Sequence, residues 1–185
     1  LIAMQVIQQA FSHSSSTFMI GKIQGNIVDL LYAPLSATEV TISISLAAAT
    51  RSFMIAIVSI ITFYLIIDIQ IKYFFLLFLF TFLTSFILGN IGIISGLWAE
   101  KFDHQATITN FVIVPLSFLS GTFYSIERLP DFLKKISELN PFFYMIDGFR
   151  FCFIGQSDGS IKTGIIYLLI LSILSWLAAY ILFKR

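Results

Sequence analysis

Few residues in this 185-residue chain have the type and setting for covalent chemistry. His13 stands among serines in the run Ser12 to Ser16. Adjacent helix positions do not face each other, and no carboxylate falls in the segment to orient the imidazole. His13 therefore reads as a hydrogen-bonding helix residue, and no catalytic residue is assigned. Cys152 is the single cysteine, which excludes a disulfide framework or a thiolate cluster within the chain, and no metal site is expected. Walker A, HExxH, GxSxG and Gly-rich dinucleotide patterns are all absent, so no nucleotide or cofactor is expected on this chain.

What the sequence does offer is polar residues in register. Gln5, Gln9, Ser12 and Ser16 recur at steps of four, three and four, on one helical face. That face is either a polar seam against neighbouring helices or the wall of a translocation cavity. Asn110 and Ser117, with Thr107 and Gly121, form a second such set, read as a packing face or as more of the same cavity. In "GKIQGNIVDLLYAPLS", Ile20, Ile23, Ile27, Leu30, Leu31 and Pro34 follow a helical period, while Lys22, Gln24, Asn26 and Asp29 take other faces. The pattern predicts a short amphipathic helix stopped by Pro34. Asp147 and Arg150, at i and i+3 in "NPFFYMIDGFRFCFIG" with Pro141 and Tyr144, are placed to pair.

The elements that carry these residues belong in lipid. The chain is 58% hydrophobic and 11% charged, with 21 phenylalanines and a mean hydropathy of +0.94, too apolar for a water-soluble domain. A helix needs about 20 apolar residues to cross a bilayer. Five segments qualify, roughly 1–20, 43–67, 73–97, 107–126 and 163–183. The fold expected is an all-α polytopic transmembrane bundle in one domain. Because the chain starts on Leu1 inside an apolar segment, we expect its true N-terminus to be missing. A net charge of +1 without basic runs argues against a nucleic-acid partner.

Further local signals fix details. Ser36 and Glu39 in "LSATE" have capping-box spacing. Arg51 falls early in the second span, as an interfacial anchor or a functional buried charge. Asp68 and Lys72 flank a turn short enough to make spans two and three antiparallel neighbours. Gly92 and Gly96 form a small-xxx-small pair suited to close backbone approach. Pro115 predicts a kink in the fourth span. Pro130 and Pro141 each suit a first helical turn, giving helices near 130–139 and 141–154, the latter too short to span and fit for an interfacial or re-entrant element. Lysines and arginines divide five against six between the two sides, which sets no orientation.

Three stretches in order, "GKIQGNIVDLLYAPLSATEV", "FDHQATITNFVIVPLSFLSGTFYSIERLP" and "NPFFYMIDGFR", make the whole chain resemble the membrane permeases of bacterial ABC-2 type exporters, in particular the subgroup of YadH-like and Nod-factor export permeases. The resemblance implies six transmembrane helices in the intact chain, of which these five would be the second to sixth, in the bacterial inner membrane. It implies that residues 21–36 and 100–110 face the cytoplasm and 125–162 the periplasm. It further implies a second permease copy and a separate ATPase subunit that carries ATP and Mg. On it, residues 21–35 look like the helix that docks on the ATPase, through Lys22, Gln24, Asn26, Asp29, Leu30 and Pro34. Residues 130–154 look like a re-entrant segment at the outer leaflet. Exporters of drugs, lipid-linked saccharides and polysaccharides share this architecture. The rival readings are an ATP-independent membrane scaffold or assembly protein, and an intramembrane lipid-modifying enzyme with its site at Asp147 and Arg150.

Overall fold

The computed structural model describes residues 1–26, 32, 34–67, 70–122 and 131–184, apart from the side chains of residues 131, 133, 135 and 138. These residues form helices α1 (Ile2–Gln24), α2 (Ala37–Ile67), α3 (Phe74–Trp98), α4 (Phe102–Ile108), a π-helical turn (Thr109–Ile113), α5 (Val114–Leu119), α6 (Asp131–Leu139), α7 (Pro141–Ile154) and α8 (Ile161–Lys184). No strand occurs among the described residues, as the composition leads one to expect.

Three of these helices, α2, α3 and α8, are long and apolar enough to cross a membrane, against the five segments expected. The difference has two causes. Helix α1 is 23 residues long but lies in the middle of the bundle, packed on α3 and α2. Val6, Ile7, Ala10, Phe11, Phe18 and Met19 are buried there together with Ser14 and Ser15. A helix hidden from lipid can carry polar residues, and its mean hydropathy falls accordingly. The outer helix α2 does the opposite, turning Met54, Ile57, Val58, Ile61 and Leu65 outward.

The fourth expected span is not one helix. Pro115 has no N–H to give, and just before it the backbone loosens into a π turn in which the Val114 amide bonds to the Thr109 carbonyl, five residues back. The extra residue shifts the register. Asn110 ends up exposed, while Ser117 is buried with its hydroxyl on the Ile113 carbonyl (2.7 Å), so the two do not share the face that their spacing suggests. The stretch 123–126 that would end this span lies outside the described residues.

Close helix contact follows from small residues. A Cβ on Gly92 would stand 2.6 Å from the Phe11 carbonyl oxygen, and one on Gly96 would stand 2.8 Å from that of Ser15. The glycine pair thus lets α3 lie directly on the backbone of α1. Between α2 and α3 the Ser45 hydroxyl donates to Asn90 Oδ1 at 2.9 Å, a polar tie inside the bundle. The expected capping box opens α2: Glu39 accepts from the Ser36 amide (2.7 Å) and hydroxyl (2.8 Å), and the Ser36 hydroxyl accepts from the Glu39 amide (3.3 Å).

Candidate functional site: the α1 terminus, its polar face and the α7 clasp

The last turn of α1 carries the first group of expected site residues. Gly25 ends the helix in the left-handed conformation (φ 77°), its amide on the Lys22 carbonyl, a conformation glycine adopts without strain. The amphipathic element expected over 21–35 therefore does not start as a separate helix at residue 21. Lys22 and Gln24 complete α1, and the break falls after them. Asn26 and Pro34 are exposed, and Asp29 and Leu30 lie outside the described residues.

Lys22 does not point outward as its place on an amphipathic pattern suggests. Its ammonium donates to the carbonyls of Gly96 (2.9 Å), Leu97 (2.6 Å) and Ala99 (2.9 Å). These are the end carbonyls of α3, which lack partners within the helix and carry its negative dipole end. One cation thereby fastens the end of α1 to the end of α3. Around it Ile20, Ile23, Tyr32 and Leu35 are exposed apolar residues beside exposed Gln24, Asn26 and Glu39.

Higher on α1, the polar face keeps the arrangement read from its spacing. Gln5 is exposed and Gln9, Ser12 and Ser16 are half-buried. Gln105 of α4 reaches this face from one side, its Nε2 at 3.3 Å from both the carbonyl and the hydroxyl of Ser12. On the other side Arg51 of α2 meets His13, guanidinium Nη1 to Nδ1 at 2.7 Å. Side chains of α4 and α2 thus both meet this polar face.

At the other end of α1 lies the α7 clasp. Asn140 caps α7, accepting from the Phe142 amide at 3.1 Å, and its Nδ2 reaches Ser120 Oγ (2.8 Å) and the Leu116 carbonyl (3.1 Å). Pro141 takes the first helical position, as expected. Asp147 is buried, its two oxygens accepting from the amides of Asp158 (2.8 Å) and Gly159 (3.1 Å). Arg150 stands 3.9 Å from Asp147, pairs with Asp158 at 2.6 Å and donates to the Gly121 carbonyl. The i,i+3 pairing read from the sequence is thus the weaker half of the cluster; Asp158 lies in the following loop, with no period to point to it. Tyr144 stacks near Tyr167 of α8, with centroids 4.9 Å apart. A cavity of about 670 Å³ opens here, lined by Phe63, Ile67, Phe149, Phe153 and Arg150 among others.

Residues 1–154 match the family model of the ABC-2 type transporter. The chain is similar over its whole length to the inner membrane transport permease YadH of Escherichia coli strain K12, with 31% identity over 185 residues that cover 72% of that protein. The same identity and coverage hold for YadH of Shigella flexneri. A part of 103 residues, 56% of this chain, is 25% identical to nodulation protein J of Sinorhizobium fredii strain NBRC 101917 / NGR234, covering 39% of it. No solved structure matches. With its first 154 residues matching the family model and its whole length similar to YadH, the chain belongs to the ABC-2 type transporter family.

Proposed function

We propose that this chain is the permease subunit of an ATP-binding cassette exporter in a bacterial inner membrane. It would form the substrate pathway with a second permease copy and draw its power from a separate ATPase subunit, which holds ATP and Mg. The observation that carries the coupling is Lys22. A push on the segment that follows Gly25 passes into α1 directly and, through three hydrogen bonds, into α3. A ligand moves a conformational equilibrium only through contacts that differ between its states, and a stiff joint at this end delivers such a contact to the centre of the bundle.

In this reading the end marked by Lys22 and Gly25 is cytoplasmic. Gln24, Asn26, Asp29, Leu30 and Pro34 meet the ATPase, while Lys22 serves as the joint behind them. Gln5, Gln9, Ser12 and Ser16 face the pathway, joined by Asn110 but not by the buried Ser117. Helix α7, with Pro141, Tyr144, Asp147 and Arg150, is the re-entrant element at the outer leaflet. Its 14 residues, about 21 Å, fall short of the hydrocarbon thickness of about 30 Å.

The test is to co-express the full-length permease with candidate ABC ATPases of its own organism, purify any complex and measure ATP hydrolysis with and without Asp29→Arg and Leu30→Asp. The expected result is a stable complex whose hydrolysis is uncoupled in folded variants. A permease that recruits no ATPase, or coupling unchanged in both variants, would overturn the reading. Lipid-modifying activity in the permease alone would favour the enzyme reading instead.

A further inference from the structure

We propose that Arg51, held by His13 beside the polar face of α1, binds an anionic group (a phosphate, sulfate or carboxylate) of the molecule in transit near the middle of the membrane. The inference rests on the exporter reading for the presence of a pathway. Its own support is depth, missing partners and geometry.

Depth follows from the helix itself. Lys22 sits at the level where α3 ends, beside Trp98, which is 68% exposed as an interfacial tryptophan would be. His13 lies nine residues further along α1, about 14 Å at 1.5 Å per residue. That is roughly half of a hydrocarbon core about 30 Å thick, and Arg51 is at the same level because it touches His13. Arg51 is the fifteenth of the 31 residues of α2, at the middle of that helix. The guanidinium turns sideways onto α1 rather than along α2 toward headgroups.

Missing partners follow from the sequence and the contacts. Among the described residues Arg51 has no carboxylate within ion-pair distance, the ion pairs being those of Arg150. Among the described residues, helices α1, α3 and α8, which pack with α2, contain no acidic residue, and the one in α2 is Glu39, twelve positions before Arg51. A charge kept at mid-membrane without a counter-ion marks a ligand or ion pathway.

Geometry completes the case. Arg N–H groups only donate, so His13 accepts at Nδ1 and its proton resides on Nε2, leaving the imidazole neutral. That bond uses one of five donors and fixes the fork. Arg51 is exposed where it meets His13, one turn from Gln9 and Ser16 on α1, so its remaining donors are open to a ligand. A planar guanidinium with free donors matches a phosphate, sulfate or carboxylate in bidentate fashion.

The experiment uses the full-length permease with its ATPase in phosphatidylcholine nanodiscs, with octyl phosphate as the anionic probe and octyl glucoside as its neutral match. Arg51→Gln is expected to weaken octyl phosphate binding about tenfold or more, the scale of a lost charged hydrogen bond, and to leave octyl glucoside binding alone. Equal octyl phosphate affinity in both proteins overturns the proposal. In the unmodified protein, octyl phosphate should slow modification of Arg51 by 2,3-butanedione, read by mass spectrometry. Absence of that protection overturns it too, even if the variant does not assemble. Raising the phosphatidylglycerol fraction should leave the affinity unchanged, whereas a matching loss would assign the site to bilayer phosphates and refute the pathway assignment. ATP hydrolysis in the same nanodiscs separates the two claims. An assembled, active ATPase with Arg51-independent probe binding sinks this inference alone, and a permease without ATPase sinks the exporter reading.

Discussion

Replacing Gly92 by alanine tests the packing on which the bundle depends. The new Cβ would stand 2.6 Å from the Phe11 carbonyl oxygen and 2.9 Å from Ser14 Cβ. Ordinary carbon–oxygen contacts lie at about 3.3–3.6 Å, so α1 and α3 must part by roughly 0.7 Å. Neither listener can yield alone, since one is backbone in mid-helix. Overpacking of this kind costs about 1–3 kcal/mol, offset by about 1 kcal/mol from the better helix propensity of alanine. The net loss is about 0–2 kcal/mol, at most a roughly thirty-fold shift in the unfolding equilibrium. Gly89 is the control on the same helix, because its added Cβ would meet Ala48 Cβ at 3.3 Å and Ser14 Oγ at 3.4 Å, which small shifts relieve. Gly89→Ala should be neutral or slightly stabilising. Unfolding by dodecyl sulfate titration, followed by circular dichroism, ranks the two. Equal midpoints for Gly92→Ala and Gly89→Ala would refute the claim of backbone contact between α1 and α3.

Other substitutions probe the remaining joints. Lys22→Met removes the donor from three α3 end carbonyls and should cost about 1–2 kcal/mol after discounting for its partial exposure; it should also lower permease-dependent ATP hydrolysis, whereas Lys22→Arg should retain most of both. Asp147→Asn turns an amide N–H₂ toward a backbone amide that now donates to a carboxylate oxygen, and should destabilise the protein by about 1–3 kcal/mol in the same titration. Gly148→Ala would drive a Cβ into the ring of fully buried Phe80 and should lower stability by a similar amount, with Phe80→Leu in the same chain restoring part of it.

Much of this arrangement is legible in the sequence wherever the signal is local. The capping box at Ser36 and Glu39, the Pro141 helix start and the Gly92–Gly96 contact all depend on residues within one turn, and spacing suffices to read them. Gln5, Gln9, Ser12 and Ser16 share one face of α1 for the same reason, since an unbroken helix preserves its period. Asn110 and Ser117 part from a common face because the π turn between them adds a residue to the register, which Pro115 alone does not announce. The membrane count differs because apolarity tracks contact with lipid, and α1 spends its surface on other helices. Long-range partners are the least legible. Nothing near Lys22 says that its acceptors lie 74 to 77 residues away, and nothing near Arg150 singles out Asp158 over Asp147.

The direct test of the coupling claim is a photo-crosslinking amino acid placed at Asn26, exposed just beyond the end of α1, in cells that express the full-length permease with the candidate ATPase that co-purifies with it. The prediction is one crosslinked band that contains both proteins and disappears when the ATPase gene is deleted. Crosslinks to lipid alone, or a band that persists without the ATPase, would contradict it.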